Sequence, residues 1–344
     1  MPVPSARPFA RPSVETGTSG VASPRRRRLL GYGAGLGAGL LLPLGGLVAS
    51  AHAQPAPSAP APASPLSELV TKPIPSSGEH LPVIGIGTAR RFDVGPVEAE
   101  RAPLREVLRE LPRLGGRVVD TAPSYGHAET VLGELMAELG NRDELFIATK
   151  VGAGRNGREA GIAEMESSMR RLRTDRFDLL MVHNLAGIDD MLPVLREWKA
   201  AGRIRYLGMS TSFERQYADF IAVMEREELD FIQVDYAIDN RSAEERILPL
   251  AADRGMAVLT NLPFGRGRVF QAFRDRPVPD WAAEYGIETW AQFALKFVAS
   301  HPAVTVAIPG TARPDYLIDN LGAARAPMPD AATRQRMAEL VASA

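Results

Sequence analysis

The chain has 344 residues, enough for one large domain, and its 45% of hydrophobic residues can form a sizeable core. Its formal net charge of −1, from 40 basic and 41 acidic residues, argues against nucleic acid as the main partner. The sequence contains no cysteine, which excludes disulfides, zinc–thiolate sites, iron–sulfur clusters and cysteine nucleophiles.

The N-terminal segment, residues 1–53, has the features of an export signal. Arg25 to Arg28 precede an uncharged stretch that ends at Ala51-His52-Ala53, a small-x-small sequence typical of a cleavage site. The pair Arg26-Arg27, followed after one position by two leucines, resembles a twin-arginine signal. We therefore expect export through the twin-arginine translocon to the periplasm. An uncleaved signal that anchors the protein in the membrane is the alternative.

The next segment, residues 54–75, is predicted to be a linker. Proline alternates with alanine and serine over residues 54–65, which favours an extended and semi-rigid chain. Folding is expected to begin near Ile74, and a hairpin turn is expected at Ser77-Gly78-Glu79. The folded domain is predicted to span residues 76–344.

Within this domain, short apolar runs alternate with amphipathic helices such as the one predicted at Glu159–Arg173. Eight runs are predicted as strands: Val83–Ile86, Arg117–Asp120, Phe146–Lys150, Phe177–His183, Ile204–Met209, Phe231–Val234, Ala257–Thr260 and Val304–Ile308. Strands that are apolar on both faces and separated by helices indicate a parallel sheet. Eight such units predict a single-domain α/β fold, the (β/α)8 or TIM barrel.

Polar residues stand at the C-terminal ends of three successive strands, where the active sites of barrel enzymes lie. The segments are DTAPSYG from Asp120, FIATK ending at Lys150 and LLMVHN with His183. They resemble, in order and spacing, the three catalytic segments of aldo-keto reductases. The resemblance continues through IRYLGMS, FIQVDY and IPGTARPDYLIDN, and so covers roughly residues 80–322. It implies hydride transfer between a nicotinamide cofactor and a small carbonyl or alcohol substrate.

The chemistry of these residues agrees with that resemblance. Carbonyl reduction by hydride needs a proton donor beside the developing alkoxide, and Tyr125 can supply it. The Lys150 ammonium is expected to lower the tyrosine pKa, and Asp120 is expected to hold Lys150 in place. Neutral His183 is expected to orient the substrate carbonyl. Glu129 is interpreted as a hydrogen-bond partner on a helix rather than a catalyst.

The resemblance also implies a set of cofactor contacts. Ser210, Thr211 and Gln233 match the residues that hold the nicotinamide carboxamide, with Thr211 replacing the usual asparagine. Asn261 stands where an aromatic ring usually stacks on the nicotinamide, and Phe264 is the ring that could replace it.

The phosphates are expected to meet two further segments. Around the loop Phe264-Gly265-Arg266 to Arg268, backbone N–H groups and the two arginines would bind them. After the last strand, the implied contacts are Thr311 with the 2′-phosphate, and Asp319 and Asn320 with the adenine. Two positions that are commonly basic in the family are Gly310 and Tyr316 here, so Arg313 is the remaining cation.

From these contacts we predict NADP(H) as the preferred cofactor, with NAD(H) as the alternative. The five histidines lack HExxH-type spacing, so no metal site is predicted. A second hypothesis is a cofactor-binding barrel that serves as a redox sensor or regulatory subunit and turns over slowly. The sequence does not indicate an oligomeric state.

Overall fold

The structure is a computed structural model, and it describes residues 68–343. The predicted export signal, residues 1–53, lies outside the described residues, as do residues 54–67 of the predicted linker. Within the described residues, no helix is both long enough and apolar enough to span a bilayer.

The described chain begins with a hairpin of two short strands, β1 (Thr71–Pro73) and β2 (His80–Pro82), which pair antiparallel. The predicted turn between them is confirmed. The linker boundary at residue 75 is wrong, because β1 already belongs to the fold. The Lys72 ammonium donates to three backbone carbonyl oxygens between residues 299 and 304, and Ile74 is fully buried.

Eight parallel strands form the barrel predicted from the sequence. They are β3 (Ile86–Gly87), β4 (Val118–Asp120), β5 (Phe146–Val151), β6 (Phe177–His183), β7 (Ile204–Ser210), β8 (Phe231–Asp235), β9 (Ala257–Asn261) and β10 (Val306–Ala307). Each strand pairs with its neighbour in chain order. Two parallel bridges, Ile84 with Ala307 and Gly87 with Gly310, join the first strand to the last.

Helices on the outside connect the strands. They are α1 (Glu98–Arg113), α2 (Ala128–Leu139), α3 (Arg158–Leu172), α4 (Ile188–Ala200), α5 (Tyr217–Arg226), α6 (Ile247–Asp253), α7 (Arg268–Ala272), α8 (Trp290–Ala299), α9 (Pro314–Gly322) and α10 (Ala331–Ala342). The predicted helix at residues 159–173 corresponds to α3 within one residue at each end. Every strand therefore has one face toward the barrel axis and one toward a helix.

The alternation of side chains along the strands decides which residues reach the site. In β5, Phe146 and Ala148 pack in the barrel interior, and Ile147 packs in the layer between strands and helices. Lys150 continues the inner row, whereas Thr149 points to helix α2 and donates to Glu129. A buried apolar interior below thus supports polar side chains at the C-terminal ends of the strands.

Candidate active site

A cavity of about 700 Å³ opens at the C-terminal ends of the barrel strands. Its size is that of a small-molecule or cofactor site. Half of the predicted site residues line it: Asp120, Tyr125, His183, Ser210, Gln233, Asn261, Phe264 and Arg266. Its wall therefore contains side chains from five of the strands and their following loops.

Asp120, in the cavity wall, and Lys150, beneath the wall, form a buried ion pair. The Lys150 Nζ lies 2.7 and 2.8 Å from the two carboxylate oxygens of Asp120, and 2.9 Å from the carbonyl oxygen of Thr121. Burial lowers the pKa of Lys150, but the charges of Asp120 and Tyr125 and the hydrogen bonds to them together outweigh this effect, so the pKa lies above its usual value. The pair therefore keeps one positive charge fixed beside Tyr125.

Tyr125 is held at the cavity by a tight turn. Gly126 follows it with a φ of +60°, a conformation that favours glycine, and a Cβ atom there would lie 2.2 Å from the Asp93 carboxylate. The Lys150 Nζ is 5.2 Å from the centre of the Tyr125 ring. Burial raises the pKa of Tyr125 by more than the Lys150 charge lowers it. Lys150 thus acts on the Tyr125 pKa in the expected direction, but the net pKa lies above its usual value because burial outweighs the neighbouring charge.

His183 ends β6 with its ring edge-on to Tyr125, the two ring centres being 6.1 Å apart. Burial and the nearby charge of Lys150 lower the pKa of His183 to about 3. The imidazole is therefore neutral at physiological pH, as predicted. A neutral imidazole with one N–H group can donate a hydrogen bond to a carbonyl oxygen.

The side chains at the ends of β7 to β9 form the polar wall of the cavity. The Gln233 amide donates to Asp120 over 2.8 Å, which joins it to the buried ion pair. The Asn261 amide donates to the Thr211 carbonyl oxygen over 3.0 Å, and its own Oδ1 is buried without a partner among the described residues. Ser210 also lines the cavity.

Thr211, by contrast, does not reach the cavity, because side chains alternate along the strand and the one after Ser210 points away. Its hydroxyl donates to Gln216 over 2.7 Å, just before α5. The predicted pair of Ser210 and Thr211 is therefore split, and Ser212, two positions after Ser210, lines the cavity instead.

The loop after β9 brings only part of its predicted residues to the cavity. Phe264 and Arg266 line it, and the Phe264 ring packs against Phe270 with ring centres 5.0 Å apart. Arg268 instead pairs with Asp239 over 2.6 Å. Gly265 lies behind the wall, against the same aspartate.

The predicted adenosine-binding residues after β10 lie outside the cavity wall. Thr311 is fully buried, and its hydroxyl accepts a hydrogen bond from Asn320 over 3.1 Å. Asp319 accepts hydrogen bonds from Thr289 and Gln292. Arg313 is exposed and makes a bidentate ion pair with Asp315, 2.5 and 2.9 Å long. These contacts use the groups that the resemblance assigned to the adenosine half of the cofactor.

Two arginines in the cavity wall were not among the predicted site residues. Arg90 and Arg91 lie in the loop after β3, and neither makes an ion pair with any described residue. Their position could have indicated them, because they directly follow the first barrel strand, and the loops at this end of a barrel commonly bind ligands. The described chain holds no group of three or more carboxylate and histidine side chains placed to bind a metal.

Comparisons with known proteins extend these observations. The model of the Aldo/keto reductase family matches residues 83–339. The chain is 30% identical over 250 residues to methylglyoxal reductase YeaE of Escherichia coli, covering 70% of the chain and 85% of the relative. It is 35% identical over 167 residues to aldo-keto reductase YhdN of Bacillus subtilis, covering 45% of the chain and only 50% of that protein.

Solved structures show the same relationship. The aldo/keto reductase of Klebsiella pneumoniae in complex with NADP and acetate is similar with a TM-score of 0.66 and 26% identity. This match covers 77% of the chain and 93% of the Klebsiella protein.

Proposed function

Because the chain belongs to the aldo/keto reductase family, we propose that it transfers hydride between a nicotinamide dinucleotide and the carbonyl or alcohol group of a small molecule. The main support is the arrangement of Tyr125 and His183 in the wall of one cavity, above the buried pair of Lys150 and Asp120. This arrangement offers a proton donor, a fixed positive charge and a neutral hydrogen-bond donor around one reacting atom.

The cavity residues fit such a cofactor. The buried Asn261 Oδ1 has no partner among the described residues and can accept from an amide N–H group, while Ser210 and Gln233 add polar atoms beside it. Asn261 stands where an aromatic ring usually stacks on the nicotinamide, and the ring of Phe264 in the cavity wall can make this contact instead. Arg266 supplies a charge for a phosphate. When bound, the cofactor supplies the hydride.

In the proposed reduction, the Tyr125 hydroxyl gives its proton to the carbonyl oxygen of the substrate as the alkoxide forms. Because burial raises its pKa, Tyr125 is protonated and ready to donate at neutral pH. The Lys150 ammonium stabilises the phenolate that remains, and Asp120 holds the ammonium in place. Neutral His183 donates a hydrogen bond to the same carbonyl oxygen and orients it.

We propose NADP(H) as the preferred cofactor. The Klebsiella pneumoniae relative is described in complex with NADP, and the cavity mouth carries arginines that can bind an additional phosphate. NAD(H) is the alternative, and direct measurement of both affinities decides between them.

The replacement Tyr125→Phe tests the mechanism. Purified protein is mixed with NADPH or NADH and a panel of aldehydes and ketones that includes methylglyoxal, and the absorbance of the reduced nicotinamide is followed. The variant keeps the ring but loses the proton donor, so we expect kcat to fall by about 10²–10⁴-fold. The cofactor Kd should change little.

Tyr285→Phe is the matched control, since the Tyr285 hydroxyl forms a hydrogen bond with Thr333 on α10, away from the cavity, and kcat should be unchanged. A Tyr125→Phe variant as fast as the parent would contradict the mechanism. A parent protein that binds the cofactor without turnover on the panel would favour the redox-sensing role.

We also propose that the protein is exported through the twin-arginine pathway. Support comes from the Arg26-Arg27 pair, the glycine-diluted apolar stretch and the Ala51-His52-Ala53 sequence. A barrel that needs a dinucleotide gains from export in the folded and loaded state, because free dinucleotide is scarce outside the cytoplasm.

A further inference from the structure

The mouth of the cavity carries three positive charges without a counter-charge. Arg90 and Arg91 come from the loop after β3 and Arg266 from the loop after β9, and none of them pairs with a described acidic residue. Asp120 is the one carboxylate in the cavity wall of the described chain, and Lys150 already neutralises it. The mouth is therefore suited to a ligand with several negative charges.

We propose that Arg91 binds the 2′-phosphate of NADP(H) and so determines the cofactor preference. This inference rests on the proposed function and adds to it a residue for which neither the resemblance nor the comparisons give a role.

The first observation is the contact between Arg91 and Gly310. A Cβ atom on Gly310 would lie 3.5 Å from both the Cγ and the Nε of Arg91, with no other heavy atom within 4 Å. The Arg91 side chain thus lies over the loop that follows β10, in van der Waals contact with the position that a Cβ atom of residue 310 would take. A cation is therefore present at this end of the barrel although residue 310 is glycine.

The second observation is that the cation predicted from the sequence is already engaged. Arg313 makes two hydrogen bonds to Asp315, stacks on Tyr316 at 4.5 Å, and does not line the cavity. A phosphate at Arg313 would have to compete with Asp315 or bind beside its negative charge. Arg91 lines the cavity and pairs with no described carboxylate, so it binds a phosphate without that exchange.

The third observation concerns which phosphate is in reach. Gly310 directly precedes Thr311, the start of the segment expected to contact adenosine, whereas Arg266 stands on the separate loop expected to bind the pyrophosphate. We therefore assign Arg91 to the phosphate on the adenosine ribose, the group by which NADPH and NADH differ.

The experiment measures Kd for NADPH and NADH by isothermal titration calorimetry, without substrate or turnover. Arg91→Ala should raise the Kd for NADPH by about 10–100-fold, the range for a hydrogen-bonded charge. The Kd for NADH should stay within about 2-fold of the parent, the scatter expected when no contact to the cofactor is lost. Thermal unfolding of the variant checks that the fold is intact.

A rescue variant makes the test specific. In Arg91→Ala combined with Gly310→Lys, the new side chain enters the space that Arg91 has left, because Arg91 supplies the only atoms within 4 Å of a Cβ at position 310. The φ of Gly310 lies outside the left-handed region, so lysine is tolerated there. The double variant should recover the preference for NADPH.

Two single variants serve as controls with the same loss of charge. Arg90→Ala removes the neighbouring arginine of the same loop, and Arg313→Ala removes the arginine that is paired with Asp315. Neither should change the ratio of the two dissociation constants as Arg91→Ala does.

Several outcomes would overturn the assignment. One is that Arg91→Ala weakens the binding of NADPH and NADH equally, and another is that Arg90→Ala or Arg313→Ala changes the ratio of the two dissociation constants as much as Arg91→Ala does. The assignment also fails if the double variant does not recover the preference for NADPH, or if the parent binds NADH at least as tightly as NADPH. A parent that binds neither cofactor would instead remove the proposed function itself.

Discussion

At the scale of single residues, one buried ion pair controls the charge of its neighbours. Asp120 keeps Lys150 charged despite complete burial, and the Lys150 charge in turn adds to the burial that keeps His183 neutral. Gln233 donates to the same carboxylate, so the residues proposed to bind the cofactor and those proposed to catalyse the reaction are joined at Asp120. A change at Asp120 should therefore affect both sides together.

The lowered pKa of His183 predicts that acid weakens the fold. The pKa is about 3 in the folded protein and about 6.5 in the unfolded chain. As the pH falls below 6.5, His183 binds a proton in the unfolded chain but not in the folded protein, so the free energy of unfolding decreases until about pH 3. Between pH 7 and pH 5 this single group should lower the free energy of unfolding by about 2 kcal/mol.

Urea unfolding at pH 7 and pH 5 measures this loss. His183→Gln should reduce the difference between the two values, since glutamine does not titrate. His301→Gln is a useful comparison, because burial also lowers the pKa of His301 to about 4, and its replacement should relieve a smaller loss far from the cavity, since His301 is more exposed to solvent. An unchanged pH difference in His183→Gln would contradict the prediction.

The residues of the proposed catalytic group could be predicted from the sequence, whereas the ion-pair partners of the arginines could not. Tyr125, Lys150 and His183 follow strands in a recognisable order, so the sequence alone brings them to one end of the barrel. Whether an arginine is free to bind a ligand depends on which carboxylate lies nearby after folding. Arg313 and Asp315 are close in sequence, but Arg268 and Asp239 meet only in the folded chain.

At the scale of elements, a buried carboxylate joins two helices to the strand that carries Lys150. Glu129 on α2 accepts hydrogen bonds from Thr149 on β5, over 2.6 Å, and from Ser168 and Arg171 on α3, over 3.0 and 2.8 Å. Its interpretation as a helix-side hydrogen-bond partner agrees with these contacts. The network holds β5 against its helices on the side opposite the cavity.

Replacement of Glu129 by alanine should therefore destabilise the fold and leave the chemistry intact. The change leaves a partly buried arginine charge and two hydroxyl groups without their acceptor, at a cost of about 3 kcal/mol. Urea unfolding measures the loss, and kcat under native conditions should stay near the parent value. Glu138→Ala, a largely exposed residue of the same helix paired with Arg105, should change stability by less than about 1 kcal/mol.

A Glu129→Ala variant that is as stable as the parent would show that the network does not hold the elements together. A variant that is stable but inactive would instead place Glu129 in the chemistry.

The strands were predicted well because buried parallel strands are continuous apolar runs, but the ends of the barrel were not. The first and last barrel strands are shorter than expected, since their pairing at the seam consists partly of single bridges and isolated hydrogen bonds. Strand β1 was assigned to the linker because a run such as Thr71-Lys72-Pro73 has no apolar pattern. Its place in the fold depends on β2 and on carbonyl groups more than 200 residues away.

At the scale of the whole molecule, the chain consists of a barrel and a preceding segment for which we propose a separate task. The barrel is predictable from the periodicity of its apolar residues, because those residues become buried on folding. We propose that a translocon recognises the N-terminal segment, so that particular residues rather than packing would determine its role.

The last prediction concerns this segment. Replacing Arg26 and Arg27 together by lysine preserves the charge but removes the planar guanidinium groups, which an ammonium group does not imitate. If the twin-arginine translocon reads this pair, the double variant should accumulate as a precursor in the cytoplasm, whereas the parent should be found in the periplasm with an N-terminus near Gln54. Arg11→Lys with Arg25→Lys is the matched control, with two equally conservative changes outside the pair, and it should be exported like the parent.

Cell fractionation with N-terminal sequencing distinguishes the outcomes. The proposal is refuted if the parent chain stays in the cytoplasm and still carries residues 1–53. It is also refuted if the variant with both arginines of the pair replaced is exported as efficiently as the parent. An uncleaved chain in the membrane fraction would show instead that the segment anchors the protein.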